Sequence, residues 1–155
     1  MSKDSFYLRR LHSLLGIIPI GLFLTQHLVV NHFATRGEAS FESAAQFMEG
    51  LPFRLLMEWF VIYLPLMFHA FYGLYIGFTA KNNPKSFNVF RNWMFILQQI
   101  SGVFLVVFIA WHVFETRFQA AIGTKEVNFN MMADILANPF MFAFYVTGVV
   151  VATFH

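Results

Sequence analysis

Four histidines, His27, His69, His112 and His155, each stand alone in a different apolar stretch, 42, 43 and 43 residues apart. An imidazole facing hydrocarbon is costly, so a polar ring inside a membrane span calls for a partner or a metal. Four such rings make two pairs, enough to hold two haem irons axially from both sides. Any one of them, taken alone, is as readily an interhelical hydrogen-bonding residue worth about 1 kcal/mol. Four, one to a stretch and matched in depth, are harder to produce that way. A histidine-rich membrane oxygenase would cluster its ligands as H-x-x-x-H or H-x-x-H-H, and no such cluster occurs. A cytochrome b of the quinol:cytochrome c type would set two histidines on each of two helices.

The elements that must position these rings are membrane helices. Of 155 residues 58% are hydrophobic, 12% are charged and 22 are Phe. Soluble domains carry about 25% charged residues, so this chain lacks the polar side chains to cover a water-facing surface. A formal charge of +2, scattered along the chain, argues against nucleic acid as a partner. There is no cysteine. That excludes disulfides, thiolate-bound iron–sulfur clusters and a C-x-x-C-H haem attachment, so haem would be held by coordination and packing alone. The predicted fold is all-α, a single membrane helical bundle over 1–155. Its four spans run from about Leu11 to Val30, Met57 to Ala80, Trp93 to Phe114, and from Pro139 to His155. The first three have the roughly 20 residues that cross a bilayer core. The fourth has no closing polar flank, so the chain is expected to continue beyond His155. The first span is not a cleavable signal, since no small-residue cleavage site follows it.

Charge sets the expected orientation. Lys3, Arg9 and Arg10 face Asp4 at the N-terminus, and the second loop has Lys81, Lys85 and Arg91 with no acid. The loops Asn31–Leu56 and after Glu115 mix both signs. Positive residues favour the cytoplasmic side, which places the N-terminus and second loop inside. His27 and His112 then lie near the outer ends of spans one and three. His69 falls about 18 Å and His155 about 24 Å below the outer starts of spans two and four, from the helical rise. The expected pairs are therefore His27 with His112, outer, and His69 with His155, inner.

Smaller signals accompany the rings. Pro65, His69, Gly73 and Gly77 share one helix face, and Gly148 shares a face with His155, giving room for a porphyrin edge; Gly73 and Gly77 equally form a G-x-x-x-G packing motif. His12 and His32, at the two ends of the first span, read first as interfacial polar residues and second as contacts to a propionate or a quinone. Trp59, Trp93, Tyr7, Tyr63 and Tyr72 partly fit an aromatic belt, while Trp111 could pack against a ring beside His112.

Several stretches carry a specific resemblance over essentially the whole chain: Phe6-Tyr7-Leu8-Arg9-Arg10-Leu11-His12-Ser13-Leu14-Leu15-Gly16, Gln26-His27-Leu28-Val29-Val30-Asn31-His32-Phe33, Phe68-His69-Ala70-Phe71-Tyr72-Gly73, Phe90-Arg91-Asn92-Trp93-Met94-Phe95 and Trp111-His112-Val113. They resemble the cytochrome b558 membrane subunits of succinate dehydrogenase from Gram-positive bacteria, dihaem anchors with five membrane helices.

The resemblance implies two b haems, with His27 and His112 on the outer, low-potential one and His69 and His155 on the inner, high-potential one. It also implies partners on the cytoplasmic side of a bacterial membrane: a flavoprotein carrying FAD, where succinate is oxidised, and an iron–sulfur protein. Electrons would pass from these through the haems to menaquinone. Ser13 and Trp93 match positions near inner-haem propionates. Glu58, His32 and Arg54 are candidates for quinone contact near the outer haem. Some fumarate-reducing relatives carry Glu two residues before the last ligand; Thr153 stands there, which favours succinate oxidation over the alternative of a quinol:fumarate reductase. A structural anchor without haem remains the contrasting class.

Overall fold

The computed structural model describes residues 3–80 and 89–155. Lys81 and Lys85 of the second loop lie outside the described residues, as do the side chains of Lys3 and Asp4. Among the described residues six helical elements follow in order: α1 Ser5–Arg36, α2 Glu38–Glu49, α3 Arg54–Thr79, α4 Phe90–Ala121, α5 Phe129–Ala137 and α6 Pro139–Phe154. No strand occurs among the described residues. Helices α1, α3 and α4 are each long and apolar enough to cross a membrane. The pair α5 and α6 makes a fourth span only if taken together, and it is bent by 108°.

The chain forms two compact units, Met1–Gly73 and Leu74–His155. In the first, two prolines shape the helices. Pro19 lies in a π-helical turn, Gly16–Ile20, and the π turn Glu58–Tyr63 of α3 stops just before the buried Pro65. A proline ring cannot sit against the carbonyl four residues earlier and donates no N–H, so the backbone relaxes into the wider turn. Gly37, at φ 98°, turns the chain from α1 into α2. That left-handed backbone favours a residue without Cβ. Phe53, at φ 57°, takes the same region at the entry to α3.

The second unit has the tighter core. Ser101, Leu105 and Phe108 are buried on α4 at helical spacing, and meet Met131 and Ile135 of α5 and Tyr145 of α6. An asparagine caps the start of each of the last two helices. Asn128 accepts from the backbone N–H of Met131 at 2.8 Å, and Asn138 from Phe140 at 2.9 Å and Met141 at 3.3 Å. Pro139 follows Asn138 at the first helical position, where its missing N–H costs nothing. Away from this core the long helices are apolar outside, with Ile17, Phe71 and Val107 exposed by 73, 69 and 60%. Such a surface suits lipid rather than water.

Three expectations need correction. Asn31, His32 and Glu115 are helical rather than loop residues, because α1 and α4 run on to Arg36 and Ala121. The two long loops contain α2 and α5, whose mixed charges hide an amphipathic period. Gly148 does not open a porphyrin slot. A Cβ built there would collide with the Phe108 ring, so its missing side chain lets α6 approach α4.

Candidate functional site

Three of the four histidines set Nδ1 within hydrogen-bond distance of a polar group on another segment. His69 Nδ1 lies 2.9 Å from the backbone carbonyl of His12. A carbonyl only accepts, so Nδ1–H donates and Nε2 keeps its lone pair. His155 Nδ1 lies 2.8 Å from Ser101 Oγ, and that hydroxyl donates its own hydrogen to the Gln98 carbonyl at 3.0 Å. Ser101 therefore accepts from His155. His112 Nδ1 lies 3.3 Å from the Tyr145 hydroxyl, which donates to Glu115 Oε2 at 3.1 Å. Here too the imidazole donates from Nδ1.

His27 has a longer contact, through the other nitrogen. The Asn31 amide is anchored by a 2.8 Å bond from Nδ2 to the His27 carbonyl, and Nδ2 stands 3.5 Å from His27 Nε2. That separation carries little energy. Phe23 stacks on the His27 ring, with centroids 5.4 Å apart.

Glycines clear space for two of the rings. A Cβ at Gly16 would come within 2.5 Å of His69 Cε1, and one at Gly102 within 3.1 Å of His155 Cε1. Gly73 makes the same allowance for His12, whose Nε2 would be 2.9 Å from a Cβ there. His12 in turn lies flat on His69, with centroids 4.0 Å apart and planes 8° apart. Gly77, in contrast, has no described atom within 4 Å of a built Cβ. In each unit the rings occupy two levels. His69 sits beside His12, and His27 is about 22 Å further along α1; His155 sits beside Ser101, and His112 is about 16 Å further along α4.

The donor set suits bis-imidazole iron. A porphyrin brings four nitrogens of its own and asks the protein for two. Among the described residues no group of three or more His, Asp or Glu side chains converges as a compact metal site would require. An Nδ1–H held by a carbonyl, a serine or a tyrosine would orient the ring and present Nε2 to a metal.

The family model for the succinate dehydrogenase/fumarate reductase transmembrane subunit matches residues 81–155. A Bacillus subtilis (strain 168) protein, the succinate dehydrogenase cytochrome b558 subunit, is 57% identical over 150 residues, covering 97% of this chain and 74% of that protein. The chain belongs to the succinate dehydrogenase membrane-subunit family. No solved structure matches it.

The other residues singled out in the family motifs fall as follows. Arg54 Nε is 3.6 Å from Glu58 Oε1, and its Nη1 is 3.8 Å from Glu49 Oε1, so the first turn of α3 carries a small ion-pair network. His32 stands at the exposed end of the α-helical part of α1. Ser13 Oγ donates to the Arg9 carbonyl at 3.2 Å, within its own helix. Trp93 is half exposed on the first turn of α4. Thr153 donates to the carbonyls of Val149 and Val150 at 3.1 and 2.9 Å, again within its helix. The Trp111 indole N–H donates to Glu115 Oε2 at 3.1 Å. Phe108 and Tyr145 flank His112, with centroids 6.1 and 5.6 Å away.

Proposed function

We propose that this membrane subunit of succinate dehydrogenase serves electron transfer to menaquinone, and that its four span histidines hold two b haems. The proposed pairs are His27 with His112, toward the outer face, and His69 with His155, toward the inner. The single observation that carries the proposal is a shared geometry: His69, His112 and His155, far apart in sequence, each set Nδ1 within hydrogen-bond distance of a polar group on another segment. Orientation through Nδ1 is the arrangement that metal-ligating imidazoles adopt.

A b haem supplies a one-electron carrier in a slab where an uncompensated charge is costly. The protein's part is to fix the rings and exclude other ligands. His12, Ser101 and Tyr145 orient three of the imidazoles, while Gly16 and Gly102 give His69 and His155 room to keep their rotamers. Imidazole on both sides of an iron leaves no position for dioxygen, so the site is suited to relay rather than oxygen chemistry.

The partners are the flavoprotein with FAD and the iron–sulfur protein, bound at the cytoplasmic face of a bacterial membrane. Succinate chemistry belongs to them. Glu58 and Arg54, joined at the start of α3, together with His32, form the proposed quinone contact; Ser13 and Trp93 are the proposed propionate contacts. Thr153, bonded back to its own helix, offers no carboxyl for proton passage, which favours succinate oxidation over fumarate reduction.

The test is a reduced-minus-oxidised spectrum of the complex with its haem-to-protein ratio. A b-type spectrum with two haems per chain is expected, and His69→Met or His69→Ala should lose the inner one. Full haem content with unchanged potentials in both variants would sink the assignment.

A further inference from the structure

The second unit contains a polar relay that the ligand assignment does not require. The Tyr145 ring is buried at 8% exposure, in a core otherwise built of Leu105, Phe108, Met131 and Ile135. Its hydroxyl accepts from His112 Nδ1–H at 3.3 Å and donates to Glu115 Oε2 at 3.1 Å. The same carboxylate oxygen accepts the Trp111 indole N–H, also at 3.1 Å. Two donors on one oxygen mark Glu115 as the acceptor end of the chain. Its carboxyl is one helical turn beyond His112, and Tyr145 comes from a different helix, so the link is tertiary. An orphan tyrosine hydroxyl in such a core would be costly. This one is satisfied on both sides.

We infer that Tyr145 and Glu115 are positioning residues that act through His112 and lower the reduction potential of its haem. This rests on the proposed haem ligation. An imidazole whose Nδ1–H is bonded toward a carboxylate is a more basic ligand, and a more basic ligand favours ferric over ferrous iron. The contrast lies inside the same unit. His155 donates to a serine hydroxyl that passes its own hydrogen to a backbone carbonyl, a neutral acceptor. The acceptor of His112 is bonded to a carboxylate, and this difference in acceptor contributes to separating the two haems in potential. The Tyr145–Glu115 bond has an ionised acceptor and is about twice as strong as a neutral one, which keeps the hydroxyl lone pairs turned to His112.

The test uses the complete complex, purified with its partner subunits, and a stepwise redox titration that resolves both haems. In Tyr145→Phe the midpoint of one haem should rise by about tenfold in its one-electron equilibrium constant, about 59 mV, with the other unmoved. Glu115→Gln, which keeps the shape and removes the charge, should move the same haem in the same direction. Ser101→Ala, which removes the acceptor at His155, should move the other haem instead. Two normal haems with midpoints within twofold of the parent in both Tyr145→Phe and Glu115→Gln would overturn the inference and leave the ligation standing. If Tyr145→Phe loses a haem, Glu115→Gln decides: an upward shift supports the relay and an unmoved midpoint overturns it. A parent complex without haem would overturn the ligation and the relay together.

Discussion

A ligand ring inside a helical bundle is defined as much by the atoms missing around it as by those that touch it. His69 keeps its rotamer because Gly16 has no side chain; a Cβ there would stand 2.5 Å from Cε1 and 3.0 Å from Nδ1, closer than neighbouring atoms tolerate. Gly102 is a milder case, with 3.1 Å to His155 Cε1, and Gly77 has open space. Three alanine variants should therefore form a graded series. Gly16→Ala should displace His69 and lose most of one haem, and Gly102→Ala should shift the spectrum of a retained haem. Gly77→Ala should match the parent, as checked by pyridine haemochrome content and low-temperature α-band shape. Equal haem loss at Gly77 and Gly16 would mean that these glycines serve helix packing in general rather than the rings. The histidines themselves were legible from sequence, since a lone imidazole in an apolar run is conspicuous. Their orienters were not. His12 read as an interfacial residue, yet it lies flat on a ring 57 positions away. Tyr145 and Ser101 carry no signal of their own in the sequence, and Glu115 reads as the edge of a loop, because a hydrogen bond between distant positions leaves no periodic trace in either segment.

At the scale of elements, hydropathy found the long helices and misjudged their ends. Polar residues such as Asn31 and Glu115 look like loop starts, but a helix pays nothing for a polar side chain that finds a partner one turn away. Asn31 bonds back to His27, and Thr116 to the His112 carbonyl at 2.6 Å, within the π turn Phe114–Phe118. The short helix α5 escaped notice because nine residues are too few to announce a span. It matters to the site all the same. Met131 and Ile135 of α5 close the core around Tyr145, and the corner at Asn138 and Pro139 sets where α6 starts and so where His155 ends. Asn138 satisfies two backbone N–H groups that Pro139 leaves at the head of α6. Asn138→Ala should cost about 1 kcal/mol and Asn138→Gly a few tenths, as helix caps do. Reversible unfolding in mixed detergent micelles measures this directly. A null result for alanine would show that packing against α4 alone holds the corner.

For the whole molecule, the proposed electron path needs a direction, which the orientation in the membrane sets. Orientation rests on a few charges. Arg9, Arg10 and Lys3 at the start, with Lys81, Lys85 and Arg91 in the second loop, outweigh the single acid Asp4 on that side. The segments holding α2 and α5 carry Glu38, Glu42, Glu49, Glu126 and Asp134 among their cations. Insertion keeps loops rich in lysine and arginine in the cytoplasm. The N-terminal end of α1, with His12 and His69 at its level, should therefore face the succinate-oxidising partners, and α2 and the turn before α5 should face outward. The chain's lack of cysteine makes this easy to check. Ser43 on α2 and Thr124 after α4 are both exposed, so a cysteine at either should react with a membrane-impermeant maleimide on intact cells expressing the complex. A cysteine at Ser5 should stay unlabelled until the cells are opened. Labelling of the Ser43→Cys and Thr124→Cys variants only after permeabilisation would invert the topology. It would also exchange the inner and outer haem assignments, since both follow from the same few cations.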